Sequence, residues 1–311
     1  MTITQLEYII ALDNHRHFAT AADSCFVTQP TLSMQVQKLE DELNSKLFDR
    51  SKQPVIPTEI GEEIILQARK IIHEVKIMEQ LIKDKQGLFQ GELRIGIIPT
   101  LAPYLLPLFL QNFLNKYPDI RIKVKEMTTD TIIESLKSGK IDAGLLVTPL
   151  QDNSIKEYPL FYEELVAYVS KKNTAFKKTY VLADDIDLKE LWLLEEGHCF
   201  RSQIVNLCEL KKLSKHQSHF EYEAGSVETL RKMVEMNNGV TILPEMATLD
   251  FTVKQMNMVR HFKAPVPVRE VSLATHRDYV KKKLVDVLKQ EIMSAIPNKI
   301  RLNKNENLVK I

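Results

Sequence analysis

Apolar positions along this chain keep changing rhythm, and each change marks a new element. In residues 3–13, Leu6, Ile9 and Ile10 fall at helical spacing. Residues 17–25 predict a second, short helix built on Ala19, Ala21 and Ala22, small enough to let a crossing helix come close. Phe26-Val27-Thr28 then turns the chain. Leu32, Val36, Leu39 and Leu43 follow at steps of four, three and four, an inward stripe for a third helix. Thr28 can cap that helix, and Pro30 is tolerated in a first turn, where no N–H need be bonded. The opposite face carries Ser33, Met34, Gln37 and Lys38, with Gln29, Pro30 and Thr31 at the tip. Residues 47–57 read as a small β-wing bearing Arg50, Ser51 and Lys52. Residues 1–58 therefore predict a winged helix-turn-helix whose third helix reads DNA. Amides suit base edges, and hydroxyl and basic groups suit phosphates.

From Thr58, a predicted N-cap, the rhythm becomes a heptad. Ile64, Ala68, Ile71, Val75, Met78 and Ile82 repeat at four, three, four, three, four, the seam of a helix that zips against a partner helix. Residues 59–90 are thus expected to be a dimerisation helix and hinge, closing in a Gly-containing link, with a helix packed on its own domain as the plain alternative. Beyond it, strands and helices alternate: strand 93–98, helix 104–117, strand 120–126, helix 131–138, strand 142–148. That order implies a parallel sheet with helices on its faces. Residues 165–170 are expected to cross into a second lobe. This lobe would hold the segments 191–194 and 220–224, a helix at 227–236, capped by Ser226, and a strand at 240–243. The chain should return near Pro265-Val266-Pro267, and strand 268–275 with helix 279–292 completes the first lobe. The expected class is α/β, with a regulatory region over 91–300. Lobe I covers about 91–162 and 267–300, and lobe II about 163–266. The polar stretch 301–311 is expected to be a flexible tail.

Composition changes this picture little. The 311 residues are 44% hydrophobic, ordinary for a globular chain, and no run approaches 18 apolar residues. The N-terminus MTITQLEYII lacks the basic and apolar regions of a secretory signal, so a cytoplasmic protein without membrane contact is expected. Net charge is +1. Residues 1–90 hold 10 Lys or Arg against 13 Asp or Glu. The usual basic signature of a DNA-binding unit is missing, and only the cluster at 50–52 offers backbone contacts.

The candidate chemistry lies in Glu196-Gly197-His198-Cys199-Phe200-Arg201-Ser202-Gln203-Ile204-Val205-Asn206-Leu207-Cys208, which holds two of the three cysteines. Ile204, Leu207 and Cys208 share one apolar face if the segment is a helix. Cys199 would then precede a helix start, where the macrodipole and the nearby His198 and Arg201 favour a thiolate, opposed by Glu195 and Glu196. Nine helical steps of about 1.5 Å separate the two Cα atoms by roughly 13 Å, whereas a disulfide needs about 7 Å or less. A bridge between them requires the helix to unwind. Two unrelated structural cysteines are the plain alternative. A zinc site with His216 and His219 fits no standard spacing, and no cofactor or metal is called for. Cys25 reads as ordinary packing. Thr100 and Thr129 lie beyond strand ends, where an open α/β sheet binds ligands, though each can serve as a cap or turn residue. Arg269 shares a strand face with Val271 and Leu273, so it needs a buried anion or a ligand.

Several runs carry a family resemblance. Phe18-Ala19-x-Ala21-Ala22, Thr28-Gln29-Pro30-Thr31-Leu32-Ser33, Lys38-Leu39-Glu40-x-Glu42-Leu43, Leu47-Phe48-x-Arg50 and Thr58-x-x-Gly61 resemble the winged helix-turn-helix of LysR-type transcriptional regulators. Gly139-Lys140-Ile141-Asp142-Ala143-Gly144 is similar to a link in that family's periplasmic-binding-protein-like effector domain. The resemblance implies a homo-oligomer, usually a tetramer, on promoter DNA, with RNA polymerase as a further partner. Gly96-Ile97-Ile98-Pro99-Thr100, Pro103-Tyr104-Leu105-Leu106-Pro107, the Gly-His-Cys run with Cys208, and Ser226-x-Glu228-Thr229-Leu230-Arg231 resemble the family's peroxide-responsive branch. By that resemblance Cys199 is the peroxidatic cysteine and Cys208 the resolving one. Thr100, Thr129, His198 and Arg269 line the hydrogen peroxide pocket. Ser202 stands where the best-known members carry an acidic residue. The implied function is transcription regulation rather than catalysis. The alternative is a regulator of the same family that answers a small organic effector, with inert cysteines.

Overall fold

The computed structural model describes the chain except for residues 86–89, 187–189, 195–198, 208–223, 278, 280–281, 301–307 and 310–311; the side chains of 76–77, 79–85, 184, 199 and 282 are likewise left undescribed. Two compact units result, Met1–Leu88 and Phe89–Ile311. Among the described residues no helix is long and apolar enough to cross a membrane.

In the first unit, α1 (Ile3–His15), α2 (Phe18–Ser24) and α3 (Gln29–Glu42) pack around Leu6, Ile9, Leu12, Ala21, Ala22, Leu32, Val36 and Leu39. Thr2 and Gln5 close a capping box at the start of α1. Thr28 occupies the N-cap position of α3 but makes no cap bond; its hydroxyl lies 2.8 Å from that of Thr31 instead. The wing is a two-residue antiparallel pair, β1 (Phe48–Asp49) with β2 (Ile56–Pro57).

The long helix α4 (Glu59–Lys85) begins with a tight docking contact. Thr58 Oγ1 donates to Lys46 O at 2.7 Å and accepts from Gly61 N at 3.0 Å. A Cβ at Gly61 would lie 2.0 Å from Leu47 O, so only glycine lets the helix start so close to the wing. The first turns of α4 bury Ile65, Ala68 and Ile72 in the core of this unit. The expected heptad seam is therefore not one surface. Ala68 faces its own domain, while Ile71 and Met78 stay exposed.

The second unit follows the predicted alternation: β3 (Gly91–Ile97), α5 (Ala102–Lys116), β4 (Ile120–Glu126), α6 (Thr129–Lys137) and β5 (Ala143–Thr148), the three strands parallel. The strand β6 (Ile155–Val169) leaves lobe I and enters lobe II. Lobe II contains β7 (Tyr180–Val181), α7 (Cys199–Leu207), α8 (Val227–Met236), β8 (Val240–Pro244), α9 (Val253–Met256) and β9 (Val259–Phe262). The chain returns as β10 (Val268–His276), and α10 (Lys282–Ala295) covers lobe I. Sheet order is β4-β3-β5-β10-β6-β9-β7, with β8 on β6. Because β10 runs antiparallel to both β5 and β6, the sheet is mixed rather than wholly parallel.

Two hydrophobic cores match the two lobes, and β6 feeds both. The segment 191–194 joins lobe II through isolated bridges from Leu191 to Val240 and from Leu194 to Ala224; residues 220–223 lie outside the described residues. The end of the chain also departs from expectation. Leu308 bridges Val268, and Val309 is buried in the lobe II core, where a loose tail was expected from residue 301 onward. An apolar Leu-Val pair at the end of a polar run gains by burial what the run itself cannot.

Candidate functional site

The site is built where β10, β3 and α7 meet. Arg269 and Glu163 are direct cross-strand partners of β10 and β6, so their side chains rise from the same face of the sheet. Both side chains are fully buried. Arg269 Nε donates to Glu163 Oε1 at 2.7 Å, and its Nη2 lies 2.6 Å from the same oxygen. The other carboxylate oxygen accepts from Met246 N at 3.1 Å. Burial of a lone guanidinium would cost several kcal/mol, so this anion is what lets the cation sit inside the domain.

The outer edge of the same guanidinium addresses Thr100. Nη1 donates to the Thr100 hydroxyl at 3.1 Å and Nη2 to its carbonyl at 3.2 Å. Thr100 follows β3 and is almost fully buried. Its hydroxyl is thereby an acceptor for Arg269 with its own proton free to donate. Above the guanidinium lies the ring of Phe200, 5.2 Å from its centroid. Phe200 is the residue after Cys199, so Arg269 sits directly beneath the first turn of α7.

Thr129 opens α6, just after the strand that neighbours β3. It is not the cap of that helix. Thr128 is, its hydroxyl accepting from Thr131 N. The Thr129 hydroxyl is left buried with no hydrogen-bond partner among the described residues.

The helix α7 starts at Cys199 and runs to Leu207. Phe200, Gln203 and Ile204 are fully buried and Leu207 packs partly buried against the lobe II core, so the expected Ile204–Leu207 face is the inward one and extends a turn back to Phe200; Cys208 lies outside the described residues. Arg201 donates to Leu194 O at 2.7 Å and so ties the helix to the segment before it. Ser202 is exposed. The eight steps from Cys199 to Leu207 already span about 12 Å at helical rise. His198 and Cys208, with His216 and His219, lie outside the described residues.

The expected DNA-reading residues all lie in the first unit. Gln29, Pro30, Met34 and Lys38 are exposed on α3, and Thr31, Ser33 and Gln37 are half-buried, Gln37 donating to Asp41 at 2.6 Å. In the wing, Ser51 and Lys52 are exposed. Arg50 is more committed than expected. Its Nη2 donates to Glu40 Oε2 at 2.9 Å, and its guanidinium stacks over Phe18. Glu40 is buried and also accepts from Leu47 N and Phe48 N, so it clamps the wing to α3. Glu40, Glu163 and Phe200, which hold the wing and the Arg269 guanidinium in place, are not among the candidates expected from the sequence. Each left a signal, an acid within an apolar run or an aromatic beside the candidate thiol.

The helix-turn-helix over residues 3–62 matches the bacterial regulatory helix-turn-helix protein model of the lysR family, and residues 86–296 match the LysR substrate binding domain. The chain belongs to the LysR family. Among the relatives of this LysR regulator is the hydrogen peroxide-inducible genes activator of Haemophilus influenzae, 35% identical over 273 residues, 88% of this chain and 90% of that one. A full-length OxyR C199D protein from Pseudomonas aeruginosa superposes with a TM-score of 0.81 at 33% identity, covering 95% of this chain and 99% of that one. A hydrogen-peroxide-bound OxyR mutant from Corynebacterium glutamicum superposes with a TM-score of 0.60 at 25% identity, covering 94% and 92%.

Proposed function

We propose that this LysR regulator is a cytoplasmic hydrogen peroxide sensor that switches promoter activity through a reversible Cys199–Cys208 disulfide. One observation carries the reading. A wholly buried Arg269 holds Thr100 on one side and, through the Phe200 ring, underlies the turn that begins at Cys199. The names of the similar proteins point the same way.

In this reading the Cys199 thiolate attacks one peroxide oxygen. The O–O bond breaks, and the leaving oxygen takes up a proton as water, giving a sulfenic acid. The Thr100 and Thr129 hydroxyls, His198 and the Arg269 cation supply donors for the bound peroxide and for the charge on the departing oxygen. The Cys208 thiol then attacks the sulfenic sulfur, forming the disulfide and releasing a second water. Because α7 is coiled across the interval, that second step requires it to unwind. The refolded segment changes how subunits of a homotetramer meet, dimers being joined through α4. The protein consumes one peroxide per switch and is a regulator rather than an enzyme.

At the promoter, Gln29, Pro30, Thr31, Ser33, Met34, Gln37 and Lys38 face base edges and adjacent phosphates. Arg50, Ser51 and Lys52 lie along the backbone, and bound RNA polymerase receives the signal. The test is Cys199→Ser in the full chain. Promoter activation by peroxide is expected to vanish while operator binding persists. An unchanged response to peroxide sinks the reading.

A further inference from the structure

The tail carries more than its docking. Val309 N donates to Val268 O at 2.9 Å, and Val309 O accepts from Gln203 Nε2 at 3.0 Å. Gln203 lies in the middle of α7 and is fully buried. Its side-chain Oε1 has no partner among the described residues, so the bond to Val309 is the amide's anchor. Val268 immediately precedes Arg269. Leu308 and Val309 thus tie the helix that starts at Cys199 to the strand that presents Arg269.

A nine-residue helix has little stability of its own, since nucleation outweighs so few hydrogen bonds. What keeps α7 coiled must be tertiary: Phe200 and Ile204 in the lobe II core, and Gln203 on the tail. Unwinding α7 removes Gln203 from Val309 and strands a buried carbonyl. The contact exists only while the helix does, so it favours the helical state alone.

We propose that Leu308-Val309 is a latch on α7, holding the switch helix coiled and so setting how readily Cys199 and Cys208 are joined. The chemistry is that of the peroxide reading, on which this proposal rests: thiol and sulfenic acid condense to a disulfide with loss of water. The latch acts on the fold that must open first.

The experiment compares the full chain, a chain truncated after Asn307, and Val309→Asp. In reduced protein, amide hydrogen exchange across residues 201–207 is expected to quicken about tenfold without the latch, the scale of one buried hydrogen bond with its apolar contact. In a dithiothreitol redox buffer, the Cys199–Cys208 bridge is expected to be favoured by the same factor, a potential about 30 mV more negative for a two-electron couple. A synthetic peptide of residues 301–311, added to the truncated chain, is expected to restore both. Unchanged exchange in α7 overturns the latch. If exchange quickens but no bridge forms in any chain at any potential, the latch stands and the redox reading falls. Should truncation loosen α8 and β10 as well, Val309→Pro, which removes the N–H donated to Val268, decides. A smaller increase confined to α7 supports the latch, and no increase refutes it.

Discussion

Arg269 shows how far a single residue can be read. An arginine alternating with valine and leucine in a strand announces a buried cation, and the structure buries it completely. Its counter-ion was not legible. Glu163 and Glu164 are adjacent, and only the register, Arg269 opposite Glu163 and Val268 opposite Glu164, decides which acid faces inward. Likewise Thr128 and Thr129 are equivalent in sequence, and it is the cap bond of Thr128 that frees the Thr129 hydroxyl. The pair yields a prediction. Glu163→Gln keeps the shape but leaves Arg269 without its anion, so stability in urea is expected to fall by about 3–5 kcal/mol. Arg269→Met together with Glu163→Gln is expected to recover most of that stability while the rate of Cys199 oxidation stays low. A double variant that oxidises at the normal rate removes Arg269 from the sensor.

At the scale of elements, α7 is poised rather than firmly fixed. Its unwinding exposes Phe200 and Ile204, each about 1.5–3 kcal/mol of burial. A ten-residue disulfide loop returns roughly 2.7 kcal/mol on the chain-entropy model. On the proposed Cys199–Cys208 switch, the two are close enough for a bond that reductants can reopen. Periodicity places a helix here with Ile204 and Leu207 inward, and the structure extends that face back to Phe200 and Gln203, the polar Gln203 being the member that an apolar pattern does not announce. The partner of Gln203 comes from a segment about a hundred residues away, which no local pattern could announce. The lobes are joined by another element-level contact. Tyr104 of α5 donates to Glu228 of α8 at 2.9 Å, and Glu228 also pairs with Arg231. Burial, then the neighbouring Glu228 carboxylate, pushes the Tyr104 phenol well above its ordinary value. An acid with a raised pKa in the folded state holds its proton where the unfolded chain has lost it. The stabilisation from this tyrosine is therefore complete below about pH 10 and declines as the pH rises beyond it. Urea midpoints measured between pH 8 and 11 are expected to fall more gently in Tyr104→Phe than in the unaltered chain. Parallel curves would show that the clasp does not govern alkaline stability.

For the whole molecule, the decisive mismatch is between an acidic DNA-binding half and a task that needs phosphate contacts. With 10 basic and 13 acidic residues in positions 1–90, and Arg50 engaged by Glu40, one protomer has few free cations to displace counterions. On the proposed oligomeric reading, affinity comes from joining half-sites. The helix α4 has the means. Its buried stripe of Ile65, Ala68 and Ile72 serves its own unit, and a second pair, Ile71 and Met78, seven residues apart and so on one helix face, stands exposed. The heptad in the sequence merged these stripes because positions 68 and 71 both fit a seam, and only packing separates them. Replacing Ile71 and Met78 together by Glu places four like charges in a paired interface yet leaves the unit's own core intact. Sedimentation is expected to show folded monomers or unpaired assemblies, and operator affinity at fixed salt is expected to drop about a hundredfold or more as linked half-sites become independent. An Ala68→Glu control is expected to unfold the first unit instead. If the double variant keeps both its assembly state and its operator affinity, α4 is not what joins the protomers, and the route from the sulfur chemistry to the promoter must run through another surface.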